Sequence, residues 1–303
     1  MRFGFTVYPY DAFPRPEDFA RVFRHADDLG FGYATFPEHV LLTPQDNEEL
    51  ANRSWWDFTT LAAWLAAQTR QIEFFPGIYL LPLTNFGRIA RQLATLDQVS
   101  GGRVVFGIGV GWNAPEFERL GVSFADRARI GNEYCAALKA LWSQEPSTFR
   151  GRHVSFENVS CVPKPVRGTI PILVGGNAAP GPMARLVQSC DGWVPWKITQ
   201  AELPGALQAL HARMRAAGRD PAGMRIVWTL TLGENPAITQ ASRHASEGGN
   251  AADEARRSPI EEIRALEAIG VNMLTLNFGW STLDELMREM DRFAREVMPH
   301  FPR

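Results

Sequence analysis

Residues 86–112 read FGRIARQLATLDQVSGGRVVFGIGVGW, and the order of elements in this stretch decides the fold. Phe86–Val99 reads as a helix, Ser100-Gly101-Gly102 turns the chain, and Val104–Val110 is a short apolar strand ending among glycines. The same unit recurs on both sides of it. Towards the N-terminus, Phe3–Tyr8 reads as a strand. Pro16 then takes the first position of a helix, with Glu17 and Asp18 favouring its dipole. Phe19, Val22, Phe23, Ala26 and Leu29 recur at helical spacing, and Gly30 ends the helix. Tyr33–Phe36 is a second strand, followed by a long loop, a helix over about 57–69 and a third strand at Ile72–Leu81.

Beyond Trp112 come a loop to Val122 and a helix over about 126–142. Ile172–Val174, Gly192–Pro195, Ile226–Leu232 and Met273–Asn277 fit four more strands, with helices near 202–217, 260–269 and 283–297. Alternation of this kind repeated through eight units predicts an α/β fold, a closed parallel (β/α)8 TIM barrel. Thr148–Phe156, centred on Gly151, reads as a small hairpin added outside the barrel. The polar stretch Gly233–Arg257 reads as a long loop over the barrel mouth. No break in composition marks a second domain, so residues 1–303 are expected to form one.

Composition narrows the function classes. The chain is 45% hydrophobic, enough for a sizeable core, and its net charge of −2 gives no reason to expect nucleic acid or an anionic membrane as partner. Cys135, Cys161 and Cys190 show no metal-ligand spacing, and their odd number leaves at least one unpaired, which suits a reducing cytoplasm. The N-terminus lacks the apolar run of a signal peptide, and no stretch is apolar for long enough to span a bilayer. The six histidines form no ligand cluster, so no metal is expected and a metal-dependent hydrolase barrel fits poorly.

In a barrel of this kind the active site lies at the C-terminal ends of the strands. Five segments are thereby brought to one rim: Pro37-Glu38-His39, Pro76-Gly77-Ile78, Gly107 to Trp112, Gly175-Gly176-Asn177 and Asp191-Gly192-Trp193. A histidine is more often a packed residue than a catalyst. At a strand's C-terminal end, however, an imidazole is placed to take or give a proton, and His39 is the candidate. Glu38 beside it either orients the ring or is solvated.

Pro76-Gly77 weakens strand pairing inside an apolar run. It reads either as a bulge that tightens curvature or as a backbone distortion shaped to a flat ring. Gly175-Gly176-Asn177 leaves backbone N–H groups for an anion, with a helix starting just beyond. Arg127 and Arg129 can add charge there or pair with Glu133. The glycines at 107–111 do not satisfy GxGxxG, so a dinucleotide-binding reading fails. Phe13, Trp55, Trp56, Trp112, Trp196, Phe278 and Trp280 crowd the expected rim. Some are packing residues. The set still suits an apolar pocket, assigned to Trp56, Trp112, Trp196 and Phe278.

Taken together, these segments resemble the luciferase-like monooxygenase superfamily, and especially its deazaflavin-dependent branch. The most specific piece is Leu93-Ala94-Thr95-Leu96-Asp97-Gln98-Val99-Ser100-Gly101-Gly102-Arg103, leading into Phe106-Gly107-Ile108-Gly109-Val110-Gly111-Trp112. Glu116-Phe117, Leu120-Gly121, Phe36-Pro37-Glu38-His39-Val40, the run Pro171 to Asn177 and Asp191-Gly192-Trp193 follow at similar spacing. The resemblance implies a flavin or deazaflavin in the barrel mouth, its phosphate near strand five, and a cis non-proline peptide in strand three, here at Gly77-Ile78. Asp97 and Arg103 read as structural, fixing the turn between helix three and strand four. Sugar-oxidising relatives carry a glutamate where this chain has Trp112, which argues against a sugar phosphate substrate.

The expected activity is hydride transfer between the deazaflavin F420 and a hydrophobic organic substrate, with His39 handling the proton. Pro37, Gly77, Ile78, Gly109, Gly175, Gly176, Asn177 and Arg127 are expected to hold the cofactor. The alternatives are a monooxygenase using reduced FMN and, from another class, a cofactor-free ligand-binding or partner subunit. A homodimer is expected.

Overall fold

The computed structural model describes residues 1–233 and 258–302. The loop expected at Gly233–Arg257 therefore lies, but for Gly233, outside the described residues. In chain order the first half consists of β1 (Arg2–Thr6), α1 (Pro16–Leu29), β2 (Tyr33–Phe36), α2 (Pro44–Ala51), α3 (Phe58–Ala66), β3 (Glu73–Pro76), β4 (Tyr79–Leu80) and α4 (Phe86–Ser100). Then come β5 (Phe106–Gly109), α5 (Ala114–Arg119), α6 (Arg127–Ser143), and the hairpin of β6 (Ser147–Arg150) and β7 (Ser155–Val159). The rest is β8 (Ile172–Gly176), α7 (Pro180–Ser189), β9 (Gly192–Pro195), α8 (Leu203–Ala216), β10 (Arg225–Leu232), α9 (Pro259–Ala268), β11 (Met273–Phe278) and α10 (Leu283–Glu296).

All strands but the hairpin are parallel neighbours in the order β3-β2-β1-β11-β10-β9-β8-β5-β4. The two ends of that list, β3 and β4, are halves of one barrel strand parted at Gly77-Ile78, whose peptide bond is cis. β3 pairs with β2, β4 pairs with β5, and a bridge from Phe74 to Val104 joins the edges. Among the described residues, nine strands therefore make the eight staves expected of a TIM barrel.

Glycine sets how closely the staves approach. Tyr33, Phe75, Val105, Leu173, Val227 and Met273 form a buried layer inside the ring. A Cβ on Gly4 would fall 2.5 Å from the Tyr33 ring, and one on Gly107 would run into the Phe75 ring and the Pro76 carbonyl. At the end of the barrel away from the rim, Glu73 takes Arg2 at 2.8 Å and Arg225 at 3.5 Å. Outward-facing Phe36 and Phe74 pack against each other and against Phe23 of α1.

Asp97 and Arg103 are structural, as read. Asp97 accepts the Val166 N–H at 2.8 Å, and Arg103 donates to Thr69 Oγ1, Ala66 O and Ser100 O. Two loops of the sequence reading hold short helices instead. Both α2 and α5 open with a proline in the first turn, the residue favoured there because its missing N–H costs nothing. α5 is the one that matters for the site.

Candidate active site

His39 stands just past the C-terminal end of β2, 11% exposed, with its ring held on three sides. Its Nδ1 lies 3.1 Å from Glu116 Oε2, and Glu116 is 1% exposed. Trp55 meets the imidazole edge-on at 5.0 Å between centroids, and Trp112 does so at 5.9 Å. Trp55 is itself placed by Tyr8 and Tyr10 and by an indole bond to Leu50 O at 3.0 Å. Trp112 is 49% exposed, and Val40 and Leu41 beside His39 are exposed too, so this face of the rim is an open apolar one.

Glu116 is ionised. Burial pushes its carboxyl up, but the hydrogen bond from His39 and those from the Val40 and Leu41 amides outweigh burial and hold it below the usual glutamate range. The Val40 N–H donates to Oε1 at 2.6 Å and the Leu41 N–H at 3.2 Å. An ionised carboxylate only accepts, so His39 Nδ1 is the donor, and Nε2 is the ring nitrogen left to exchange a proton.

Glu38, one residue earlier, neither orients His39 nor is solvated. Its Oε2 is sealed from solvent with no hydrogen-bond partner. Burial, then the nearby carboxylates of Asp57 and Glu116, push its carboxyl well above the ordinary value. Both alternatives for this side chain, orienting group or solvated surface charge, give way to a buried carboxyl held towards its protonated form.

Three residues expected at the cofactor meet one another. The Ile78 side chain lodges between β5 and β8: a Cβ on Gly109 would collide with its Cδ1, and one on Gly175 would fall 2.7 Å from that atom. Gly77 lies close over Thr35, 3.1 Å from where its Cβ would be. The Pro37 carbonyl accepts the Tyr10 hydroxyl at 2.9 Å. At the end of β8, Gly176 O accepts Trp193 Nε1 at 2.8 Å and the Trp196 N–H at 3.1 Å, which ties Trp196 to the glycine loop. Asn177 is exposed, and its Oδ1 caps the Ala179 N–H at 3.2 Å.

Three expectations need correction. Phe278 packs against Phe31 and Phe293 in the outer layer, because alternation along β11 turns it towards α10. Trp56 packs against Phe19 of α1, and its neighbour Trp55 takes the place at His39. Arg127 is engaged with its own loop, donating to Phe124 O at 2.8 Å and lying 3.7 Å above the Phe124 ring. Arg129 pairs with Asp126, and Glu133 accepts the His153 N–H instead of either arginine.

Sequence reasoning missed Glu116 and Asn113 as site residues, although Glu116 stood in the quoted motif. Asn113, next to Trp112, is buried with its Nδ2 unpartnered. The one trace in the sequence is the Glu116-Phe117 pair inside a segment otherwise read as loop.

A family model described as luciferase-like monooxygenase matches residues 2–274. An uncharacterized protein of Mycobacterium tuberculosis (strain ATCC 25618 / H37Rv), Rv0953c, is 31% identical over 235 residues, covering 73% of this chain and 80% of that one. The pyrimidine monooxygenase RutA of Stutzerimonas stutzeri is 26% identical over 251 residues, covering 76% and 69%. Among solved structures, an F420-dependent secondary alcohol dehydrogenase in complex with an F420-acetone adduct superposes with a TM-score of 0.76 at 18% identity, covering 100% of this chain and 99% of that one. That likeness is one of fold.

Proposed function

The chain belongs to the luciferase-like monooxygenase family, and from that premise we propose that it is an oxidoreductase that moves a hydride between the deazaflavin F420 and a hydrophobic organic substrate at the barrel mouth. The residues present fit a flat, anionic-tailed cofactor on two counts. Glycines 109 and 175 leave a cradle in which Ile78 is the protruding side chain, and the buried Asn113 Nδ2 lacks a partner. Pro37, Gly77, Ile78 and Gly109 would border the ring, and Gly175, Gly176 and Asn177 would receive the phosphate.

When bound, a deazaflavin supplies two-electron hydride chemistry, and a reduced flavin supplies oxygen activation. The protein's part is the proton. His39 Nε2 accepts a proton from the substrate as its hydride departs, and Glu116, fixed by two backbone amides, stabilises the charge the ring then carries. Trp55 and Trp112 hold the imidazole and shield it from water, and the exposed edge of Trp112 offers apolar surface to the substrate.

The observation that carries this reading is the His39–Glu116 pair, because a carboxylate-backed imidazole is a proton acceptor and hydride removal from an alcohol-like group needs one. A second reading, monooxygenation with reduced FMN, is favoured by the likeness to the pyrimidine monooxygenase. Titrating the purified protein with F420 and with FMN, each oxidised and reduced, separates the two. Tight F420 binding supports the first, FMN binding alone supports the second, and binding of neither removes both.

A further inference from the structure

Arg185 sits on the second turn of α7 and is among the most deeply buried side chains in the protein, 1% exposed. Its Nε donates to the amide oxygen of Asn132 at 2.6 Å, and its Nη1 is buried without any partner. Among the described residues no carboxylate pairs with it. The titratable groups that bear on it are the buried thiols of Cys135 and Cys190, which carry no charge as thiols. A guanidinium taken out of water without a counter-charge is strongly unfavourable, so the fold retains Arg185 against its own stability.

Its position says what the charge is for. α7 begins immediately after Gly175-Gly176-Asn177, and its N-cap, Ala179, provides no side-chain bond. Pro180 and Pro182 occupy the first turn, and neither has an N–H, so the usual row of donors at a helix N-terminus is reduced to Gly181 and its neighbours. From Pro180 to Arg185 the helix rises about 7.5 Å. Helical side chains lean back towards the N-terminus, over a distance that an arginine spans. Gly131, on α6, has Arg185 Nε 4.0 Å and Val110 Cγ1 2.9 Å from the point its Cβ would occupy, which places the guanidinium beside the residue that follows β5. It therefore lies near the end of the strand that carries Gly109, on the helix that follows the strand carrying Gly175.

We propose that Arg185 supplies the positive charge for an anion held at Gly175-Gly176-Asn177, replacing the donors that the two prolines remove from α7. This rests on the reading of that loop as the cofactor's phosphate site. It assigns the cationic role to Arg185, and Arg127 stays on its own loop.

The test compares each ring with and without its phosphate: FMN against riboflavin, and F420 against the phosphate-free deazaflavin riboside, with wild type, Arg185→Met and Arg185→Lys. For whichever ring binds, the wild type is expected to prefer the phosphorylated form. Arg185→Met should weaken that form about tenfold or more and leave the phosphate-free form within about twofold, with Arg185→Lys between. In the absence of any cofactor, Arg185→Met should melt at the wild-type temperature or above it, because a buried unpaired charge has been removed. Inorganic phosphate should raise the melting temperature of the wild type and not that of Arg185→Met. A lowered melting temperature with equal loss of both forms would make Arg185 a structural bolt and overturn the proposal, as would an undiminished preference for phosphate in Arg185→Met. A wild type that shows no preference for phosphate, or binds neither ring, instead refutes the phosphate loop itself and the proposal with it.

Discussion

Glu116 holds His39 in one tautomer. Its Oε2 lies 3.1 Å from Nδ1 while Oε1 accepts the Val40 N–H at 2.6 Å, so the carboxylate bridges the loop after β2 to the helix after β5. Replacing it with glutamine has a defined consequence. The amide oxygen is drawn to the Val40 and Leu41 N–H groups, which leaves the NH2 facing Nδ1. The ring must then accept at Nδ1 and carry its proton on Nε2, the nitrogen needed as acceptor. Glu116→Gln should lower turnover by about 10²-fold or more, as tautomer inversion does in other carboxylate–imidazole pairs, with cofactor affinity unchanged. Single-turnover kinetics beside a binding titration would check this; unaltered turnover would leave Glu116 a purely structural link.

His39→Ala should lower turnover about 10²–10⁴-fold, the usual size of proton-transfer catalysis, and leave cofactor binding within a few-fold. Loss of cofactor binding in step with turnover would instead make the imidazole part of the cofactor's seat.

Trp112, half exposed against the His39 ring, is expected to act on substrate. Trp112→Ala should raise KM for apolar substrates about tenfold or more and spare cofactor affinity, since the lost contact is aromatic surface at the open face. A KM unchanged across substrates of different polarity would remove Trp112 from the pocket.

Burial, and then Asp57 and Glu116, raise the Glu38 carboxyl well above its ordinary value of about 4.5. In the unfolded chain it ionises near that value, so protein stability falls as pH rises from there towards the folded value. Glu38→Gln has no proton to lose. Its melting temperature should match the wild type's at acid pH and exceed it increasingly towards neutral pH. Melting curves over that range decide it; a gap that is constant or reversed would mean Glu38 is ionised in the fold.

The barrel was legible because its signals are local. Tyr33–Phe36 and Gly192–Pro195 coincide with their strands residue for residue, and Gly30 ends α1 with the left-handed φ of 84° that glycine permits. The candidate site is legible in the sequence only where one strand end carries its own chemistry, and His39, Gly109 and Gly175 are proposed on that ground. What was missed depends on contacts between distant segments. His39 and Glu116 are brought together across the barrel mouth, and no spacing in the chain announces that. Trp55 and Trp56 are adjacent in sequence, so only the orientation of the loop before α3 decides which one reaches His39. Phe278 shows the same limit from the other side: the position along β11 was right, and the face was not.

The two glycines of β5 give the sharpest test of how this rim is built. Both stand where a Cβ would strike a neighbour, but the neighbours differ. At Gly109 the obstacle is Ile78 Cδ1, the free end of a side chain, whereas at Gly107 it is the Pro76 carbonyl together with the Phe75 ring. A side-chain end can be removed by mutation and a backbone carbonyl cannot. Gly109→Ala should therefore cost about 1–3 kcal/mol, the usual penalty of overpacking, and Ile78→Val, which deletes the offending methyl, should recover about 1 kcal/mol or more of it in the double variant. Gly107→Ala should cost more, and Phe75→Leu should not rescue it, because the carbonyl remains. Urea unfolding of the four single variants and two doubles measures both couplings. Additive behaviour at Gly109 and Ile78 would mean that these residues do not share the space between β5 and β8, and the cradle assigned to the cofactor ring would lose its basis.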